Sequence, residues 1–310
     1  MNEQKGIIIK STGSWYTILS DRHAYQARLK GRFKQSDFKL TNPIAVGDKV
    51  LFIKEEKNET YLIIDILPRE NYIIRKSTRK THFGHIIASN IDQAVLIVTV
   101  DQPKTSLGFI DRFLVSAESF RIPVLIVINK SDQIKAIDQL VYRDVIKDIY
   151  QSIDYEVIEV SSIGDTYNID KLRKKLEGKT NLFAGHSGVG KSTLLNTLIP
   201  TANQQTTNIS SYSNKGVHTT TFAEMFVLNQ STFIIDTPGI KEFGILGIED
   251  NELSHYYREM RPYLGKCKFN NCKHVNEPNC SIIEAVENDE ISVERYENYI
   301  KLLFEEDIMR

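Results

Sequence analysis

Two short runs in this chain carry residue types that together could hold a nucleotide. The first is Gly185-His186-Ser187-Gly188-Val189-Gly190-Lys191-Ser192, with Thr193 next. Its glycines let the backbone approach phosphate oxygens, so that N–H groups and the dipole of a helix expected to start near Lys191 face the anion. In this pattern Lys191 contacts the β- and γ-phosphates and Ser192 places its hydroxyl on Mg2+. Asp236 ends the apolar run Thr232-Phe233-Ile234-Ile235 and is expected to hold the same ion from the opposite side. Gly239, in Asp236-Thr237-Pro238-Gly239, belongs to the loop that senses the γ-phosphate.

The second run is Asn129-Lys130-Ser131-Asp132, after the apolar stretch 123–128. The Asp132 carboxylate can accept hydrogen bonds from N1–H and the exocyclic amine of guanine, whereas adenine presents an acceptor at N1. A polar site of that kind discriminates by a factor on the order of 10⁴. Asn129 is expected to bind the base edge and the loop, Lys130 to cover the ring, and Ser161-Ser162 to give a backbone contact to the guanine carbonyl. GTP is the expected substrate and GDP the product. The base-reading run precedes the phosphate loop, the reverse of an ordinary small GTPase, so the domain reads as circularly permuted.

Between the phosphate loop and Asp236 lie a polar stretch, 203–214, and Lys215-Gly216-Val217-His218-Thr219-Thr220-Thr221. One threonine here is needed to close on Mg2+ and the γ-phosphate. Thr220 is favoured and Thr219 is the neighbouring candidate. Where Ras-type enzymes use a glutamine to orient the attacking water, Ile240 has no hydrogen-bonding group. His218 is the candidate for that task, against a packing role of equal weight.

All three cysteines fall in one stretch containing Cys267, Cys272, His274 and Cys280. An odd number of cysteines argues against a disulfide framework. Three thiolates and one imidazole form a closed tetrahedral set, which is the signature of one structural Zn2+.

The elements that must position these groups follow from periodicity. About five short alternating runs, near 7–9, 15–18, 25–29, 50–53 and 61–64, are separated by turn residues and suit an OB-type β-barrel. Trp15, Tyr16 and Tyr25 could stack on bases, although the core is the expected place for most of them. The basic segment 75–85 reads as a linker. From Asp92 onward, apolar strands alternate with helices expected near 108–120, 137–152 and 170–177, the pattern of a parallel α/β sheet. Helices around 251–263 and 293–307 flank the cysteines. The fold class expected is therefore multidomain: an OB-type barrel over 1–70, a circularly permuted α/β P-loop GTPase domain over 71–243 and a C-terminal α-helical zinc-binding module over 244–310.

Charge is uneven. Residues 1–90 carry sixteen Lys/Arg against nine Asp/Glu, and residues 281–310 carry nine acids against three bases, so the basic front end is a candidate polyanion-binding face. The apolar start at Ile7–Ile9 is too short for a signal-peptide core and no run approaches ~20 apolar residues. A cytoplasmic protein with no membrane partner is expected, and nothing demands more than a monomer.

Taken together, the barrel, Asn129–Asp132 ahead of Gly185–Ser192, the His218–Thr221 run, Asp236–Gly239 and the Cys272-Lys273-His274…Glu277-Pro278…Cys280 signature resemble the RsgA (YjeQ/YloQ) family of circularly permuted GTPases. The resemblance covers nearly the whole chain. It implies GTP hydrolysis stimulated by the small (30S) ribosomal subunit and a role in its late maturation, with barrel and zinc module gripping rRNA. Val217 departs from the basic or polar residue that relatives often carry. Two other classes remain open on residues alone. A P-loop ATPase or kinase leaves Asp132 without a task, and an RNA-binding scaffold leaves the intact phosphate loop without one. The permutation also places 242–247 between the phosphate-sensing loop and the zinc module, so movement in that loop could pull on the module.

Overall fold

The computed structural model describes residues 2–29, 43–55, 60–76, 84–163, 166–199, 223–236 and 248–305. Strands β1 (Gln4–Ser11), β2 (Tyr16–Ser20), β3 (His23–Leu29), β4 (Lys49–Lys54) and β5 (Tyr61–Ile66) pair in the order β1-β2-β3-β5-β4, and β4 returns to β1. The β3–β5 pair is parallel and the other four are antiparallel, which closes a five-stranded barrel. Alternation along β2 sends Tyr16 and Ile18 inward to meet Ile8, Ala27, Val50, Phe52 and Ile63. Tyr25 packs against Phe52 and Tyr61 at centroid distances of 5.4 and 4.8 Å. Of the three aromatics considered for stacking, Trp15 stays on the surface, 40% exposed, with Arg28 5.1 Å above its ring.

The basic segment expected as a linker is partly strand. β6 (Tyr72–Lys76) and β7 (Gly84–Ser89) form an antiparallel pair that includes residues 75, 76, 84 and 85. The apolar runs on either side give both strands a buried face, which the charged middle of the segment obscures in sequence.

The α/β domain comprises β8 (Gln93–Val98), α1 (Leu107–Ser119), β9 (Val124–Ile128), α2 (Ile137–Gln151), β10 (Glu156–Glu159), α3 (Thr166–Leu176), β11 (Thr180–Ala184), α4 (Lys191–Leu198), β12 (Glu224–Val227) and β13 (Phe233–Asp236). The strand order is β10-β9-β8-β11-β13-β12, parallel except for β12 against β13. Every residue of β8 and β9 is buried, as expected of strands covered on both faces. The carboxyl ends of β11, β9 and β13 bring Gly185, Asn129 and Asp236 to one edge of the sheet, where open α/β folds bind ligands.

Among the described residues an antiparallel bridge, Lys10 with Glu224, joins β1 to β12, so barrel and α/β domain share an eleven-stranded sheet. The β1–β2 register slips between Ile8 and Lys10. That bulge splits two neighbouring isoleucines: Ile8 belongs to the barrel core and Ile9 to the core under the α/β sheet with Met225 and Ile235.

The C-terminal module holds α5 (Ser281–Glu287) and α6 (Val293–Leu303). The helix expected over 251–263 is instead two 3₁₀ stretches, Leu253–Tyr256 and Arg258–Tyr263, interrupted by extended backbone at Tyr257 (φ −99°, ψ 111°). Pro262, which lacks a donor, sits in the second. Leu253, Tyr257, Met260, Ile282, Tyr299 and Leu302 enclose Val115 from α1. Among the described residues no helix is long and apolar enough to cross a membrane.

Candidate functional site

The loop after β11 takes backbone shapes that side chains resist. Gly190 has φ +90°, and a Cβ there would lie 2.4 Å from Asn129 Nδ2. That close approach reflects a contact between the two nucleotide motifs. Asn129, 1% exposed, donates from Nδ2 to the Val189 carbonyl (2.8 Å) and accepts at Oδ1 from Ser162 Oγ (3.0 Å). The base-reading run, the 161–162 turn and the phosphate loop are thus tied through one amide.

Asp132 is the middle residue of a 3₁₀ turn, Ser131–Gln133, and its Oδ1 accepts from Ser161 Oγ at 2.7 Å. Ser161 itself is held by the Ile163 backbone, and the Ser131 N–H donates to the Val160 carbonyl at 3.1 Å. The Asp132 carboxylate is therefore fixed in a frame of backbone and hydroxyl groups, where it can accept from a guanine edge. Lys130 adopts φ +60° and donates to the Gln102 carbonyl (2.7 Å), beside a recess of about 130 Å3 lined by Asp101, Gln133 and Gln139.

Lys191 lies across the phosphate loop, donating to the carbonyls of Gly185 (2.6 Å) and His186 (3.2 Å). Burial lowers its pKa, partly countered by the Asp236 carboxylate, and an incoming phosphate would favour the ammonium again. Ser192 and Thr193 lie in the first turn of α4, whose N-terminus follows Gly190. Ser187 and Gly188 complete the loop, with Gly188 at φ +89°. The His186 ring packs against the stretch that leads into α1: Nε2 is 2.7 Å from Thr105 Oγ1, and Phe109 meets it edge-on at 5.3 Å. Gln102 and Thr105 went unrecognised in the sequence because nothing local marks a residue whose partner is reached only through the fold. His218, Thr219, Thr220, Thr221, Gly239 and Ile240, and the 242–247 connection, lie outside the described residues.

The ligand atoms of Cys267, Cys272, His274 and Cys280 all lie within 4.8 Å of one another. Sγ of Cys267 and Cys280 are 3.8 Å apart, and His274 Nδ1 is 3.5 and 3.3 Å from them. Tetrahedral zinc with bonds of about 2.3 Å to sulfur and about 2.0 Å to nitrogen requires edges of roughly 3.8 and 3.5 Å, so the donor set fits that ion through Nδ1. Glu277 braces the loop by accepting the N–H groups of Lys273 (2.7 Å), Val275 (2.8 Å) and Asn276 (3.2 Å). Burial alone would raise its pKa, but these donors outweigh it and hold the carboxyl at about 2. Tyr296 and Tyr299 donate to the carbonyls of His274 (2.8 Å) and Lys273 (2.7 Å).

Buried charge joins this module to α1. Asp111 is fully buried and accepts from Arg295 (2.6 Å), Tyr150 (2.6 Å) and Asn298 (2.6 Å), while Glu259 takes the other side of the Arg295 guanidinium at 2.6 Å. Nearby, Glu118 accepts from Arg258 (2.7 Å) and Arg261 (2.6 Å).

Comparison with known proteins agrees with this arrangement. The family model for the RsgA GTPase matches residues 66–246, and that for the RsgA N-terminal domain matches residues 5–62. The small ribosomal subunit biogenesis GTPase RsgA of Cytophaga hutchinsonii is 51% identical over 310 residues, covering 99% of this chain and 100% of the relative. RsgA 2 of Bacteroides thetaiotaomicron is 46% identical over 300 residues, 96% of each chain. Among solved structures, YjeQ from Thermotoga maritima superposes with a TM-score of 0.76 at 32% identity, covering 99% of both chains. YloQ, described as a circularly permuted GTPase, gives 0.73 at 29% identity, covering 99% of this chain and 96% of YloQ.

Proposed function

The chain belongs to the RsgA GTPase family and is a circularly permuted GTP hydrolase, and from that premise we propose that the small ribosomal subunit is its partner and stimulates its turnover. On this reading it acts in late maturation of that subunit, with the barrel and zinc module holding rRNA. The observation that carries the nucleotide half is the Asn129 amide, which binds the phosphate loop at Val189 across 60 residues of inverted sequence. Such a contact is useful where base and phosphates belong to one ligand. Asp132 reads guanine, Lys130 covers the ring, and Ser161-Ser162 hold the base-side turn. Gly185 to Thr193 receive the phosphates, with Lys191 as the mobile cation.

Ser192, Asp236 and Thr220 would hold Mg2+, with Thr219 as the alternative to Thr220; the bound ion neutralises charge developing on the β- and γ-oxygens. Gly239 belongs to the γ-phosphate loop, and His218 orients the attacking water, since Ile240 cannot. A His218→Ala variant that keeps full stimulated turnover and normal GTP affinity would remove that role. The zinc is structural, having four protein donors and no open position. The three units are assigned to 1–70, 71–243 and 244–310, and the protein is read as a cytoplasmic monomer.

The test is phosphate release from GTP, with ATP as control, with and without purified small ribosomal subunits. Strong stimulation restricted to GTP is expected. Intact GTP binding with no response to the subunit would leave a GTPase with a different activator.

A further inference from the structure

The barrel is connected to the nucleotide site by one row of the sheet. Lys10 on β1 stands opposite Glu224 on β12, Glu224 stands opposite Asp236 on β13, and Asp236 stands opposite Phe183 on β11. Neighbouring strands lie about 4.8 Å apart, so Lys10 is roughly 10 Å from the residue assigned to Mg2+, with one residue between them. The first link carries an ion pair, Lys10 Nζ to Glu224 Oε1 at 3.0 Å, with both side chains only about a quarter to a third exposed.

The surroundings make this link one route by which barrel movement reaches the α/β sheet, beside the Val46–Ala88 bridge and the hydrogen bonds of Ser89 to Asp48 and Asn90 to Gly47. The upper part of β1, Gln4–Ile7, is occupied by β4, and the barrel is closed there. Past the bulge at Ile8/Lys10 the same edge of β1 is handed to β12. Ile9 follows it into the core that holds Met225 of β12 and Ile235 of β13. A packed core and a strand bridge move as a unit, and the Lys10–Glu224 ion pair lies on the seam of that unit.

We propose that Lys10 and Glu224 are positioning residues for the stimulated reaction: by pairing across the β1–β12 bridge they pass the barrel's engagement of a polyanion to Asp236. They act through Asp236 and touch no substrate. The inference rests on the functional reading above, in which the barrel grips rRNA and the subunit stimulates turnover.

The experiment compares wild type, Lys10→Glu, Glu224→Lys and the exchanged pair in one chain. Four readouts are taken on full-length protein: unstimulated turnover, kcat and KM for GTP at saturating small subunits, subunit affinity, and melting temperature. Each single variant is expected to lose roughly fivefold in stimulated kcat, about 1 kcal/mol, with KM for GTP, unstimulated turnover and folding unchanged. The exchanged pair is expected to recover most of the loss, because the attraction is restored with the charges reversed. A purely structural pair would move melting temperature instead of kcat. Single variants with wild-type stimulated kcat would overturn the inference, as would an exchanged pair no better than the singles. If wild type itself is not stimulated by the subunit, the functional reading fails and this inference with it; if wild type responds and the variants respond equally, only this inference fails.

Discussion

Asn129 and Asp132 are three residues apart, yet they do different work. Asn129 has both ends of its amide occupied by Val189 and Ser162. Asp132 has one carboxylate oxygen on Ser161 and is the group that can discriminate a base edge. Changing Asp132 to Asn exchanges an acceptor for a donor where guanine also donates. GTP affinity is then expected to fall by a factor on the order of 10²–10⁴, while xanthosine triphosphate, which offers a carbonyl at that position, should bind better than to wild type. Titration of both nucleotides into the variant checks this. The phosphate loop and base-reading run were legible in sequence because each is a local pattern whose spacing carries its chemistry. The support around them was not: Gln102 under Lys130 and Thr105 under His186 are ordinary loop residues until β8 lies between β9 and β11.

Helix α1 is the element on which the C-terminal module rests, through Asp111 at its middle and Glu118 at its end. Burial raises the pKa of Glu118, but hydrogen bonds from Arg261 and Arg258 outweigh this and leave it below the ordinary 4.5. A carboxylate whose folded pKa is depressed contributes stability that is present above the unfolded pKa and is lost as pH falls through the folded one. Glu118→Gln is therefore expected to cost roughly 1–3 kcal/mol near neutral pH. The gap to wild type should close as pH falls below the ordinary 4.5 and on through the depressed folded value, as followed by denaturant unfolding across that range. Sequence reading located α1 and α6 within a residue or two at most ends, because amphipathic spacing is local. It could not foresee the Asp111–Arg295 pair, since a charged residue in a helix reads as solvated until its partner, 184 positions away, is known. The 3₁₀ turns at 253–263 carry the sequence pattern of a regular helix for a related reason. Their apolar residues recur at helical intervals, and Pro262 was the one local sign against it.

For the molecule as a whole, the C-terminal module has few regular elements among its described residues and rests on α1 and on the Cys267, Cys272, His274 and Cys280 cluster proposed to hold zinc. Chelation of zinc is expected to remove on the order of 10 kcal/mol from the folding of that module. Hydrogen exchange should then show loss of protection over 253–303 while β8 to β13 and GTP affinity persist. If nucleotide state also moves the module, affinity for the small subunit should differ between GDP and a non-hydrolysable GTP analogue, measurable by co-sedimentation; equal affinities would disconnect the two. The bridge between Lys10 and Glu224 has a further consequence during synthesis. β1 leaves the ribosome well before β12, and the residue it pairs with follows 214 positions later. At 5–20 residues per second the barrel can close within itself long before then, but its edge at Lys10 and the apolar side chain of Ile9 wait about 10–40 s for β12. The nascent chain thus carries an open strand edge throughout the synthesis of the 214 positions that separate the two partners.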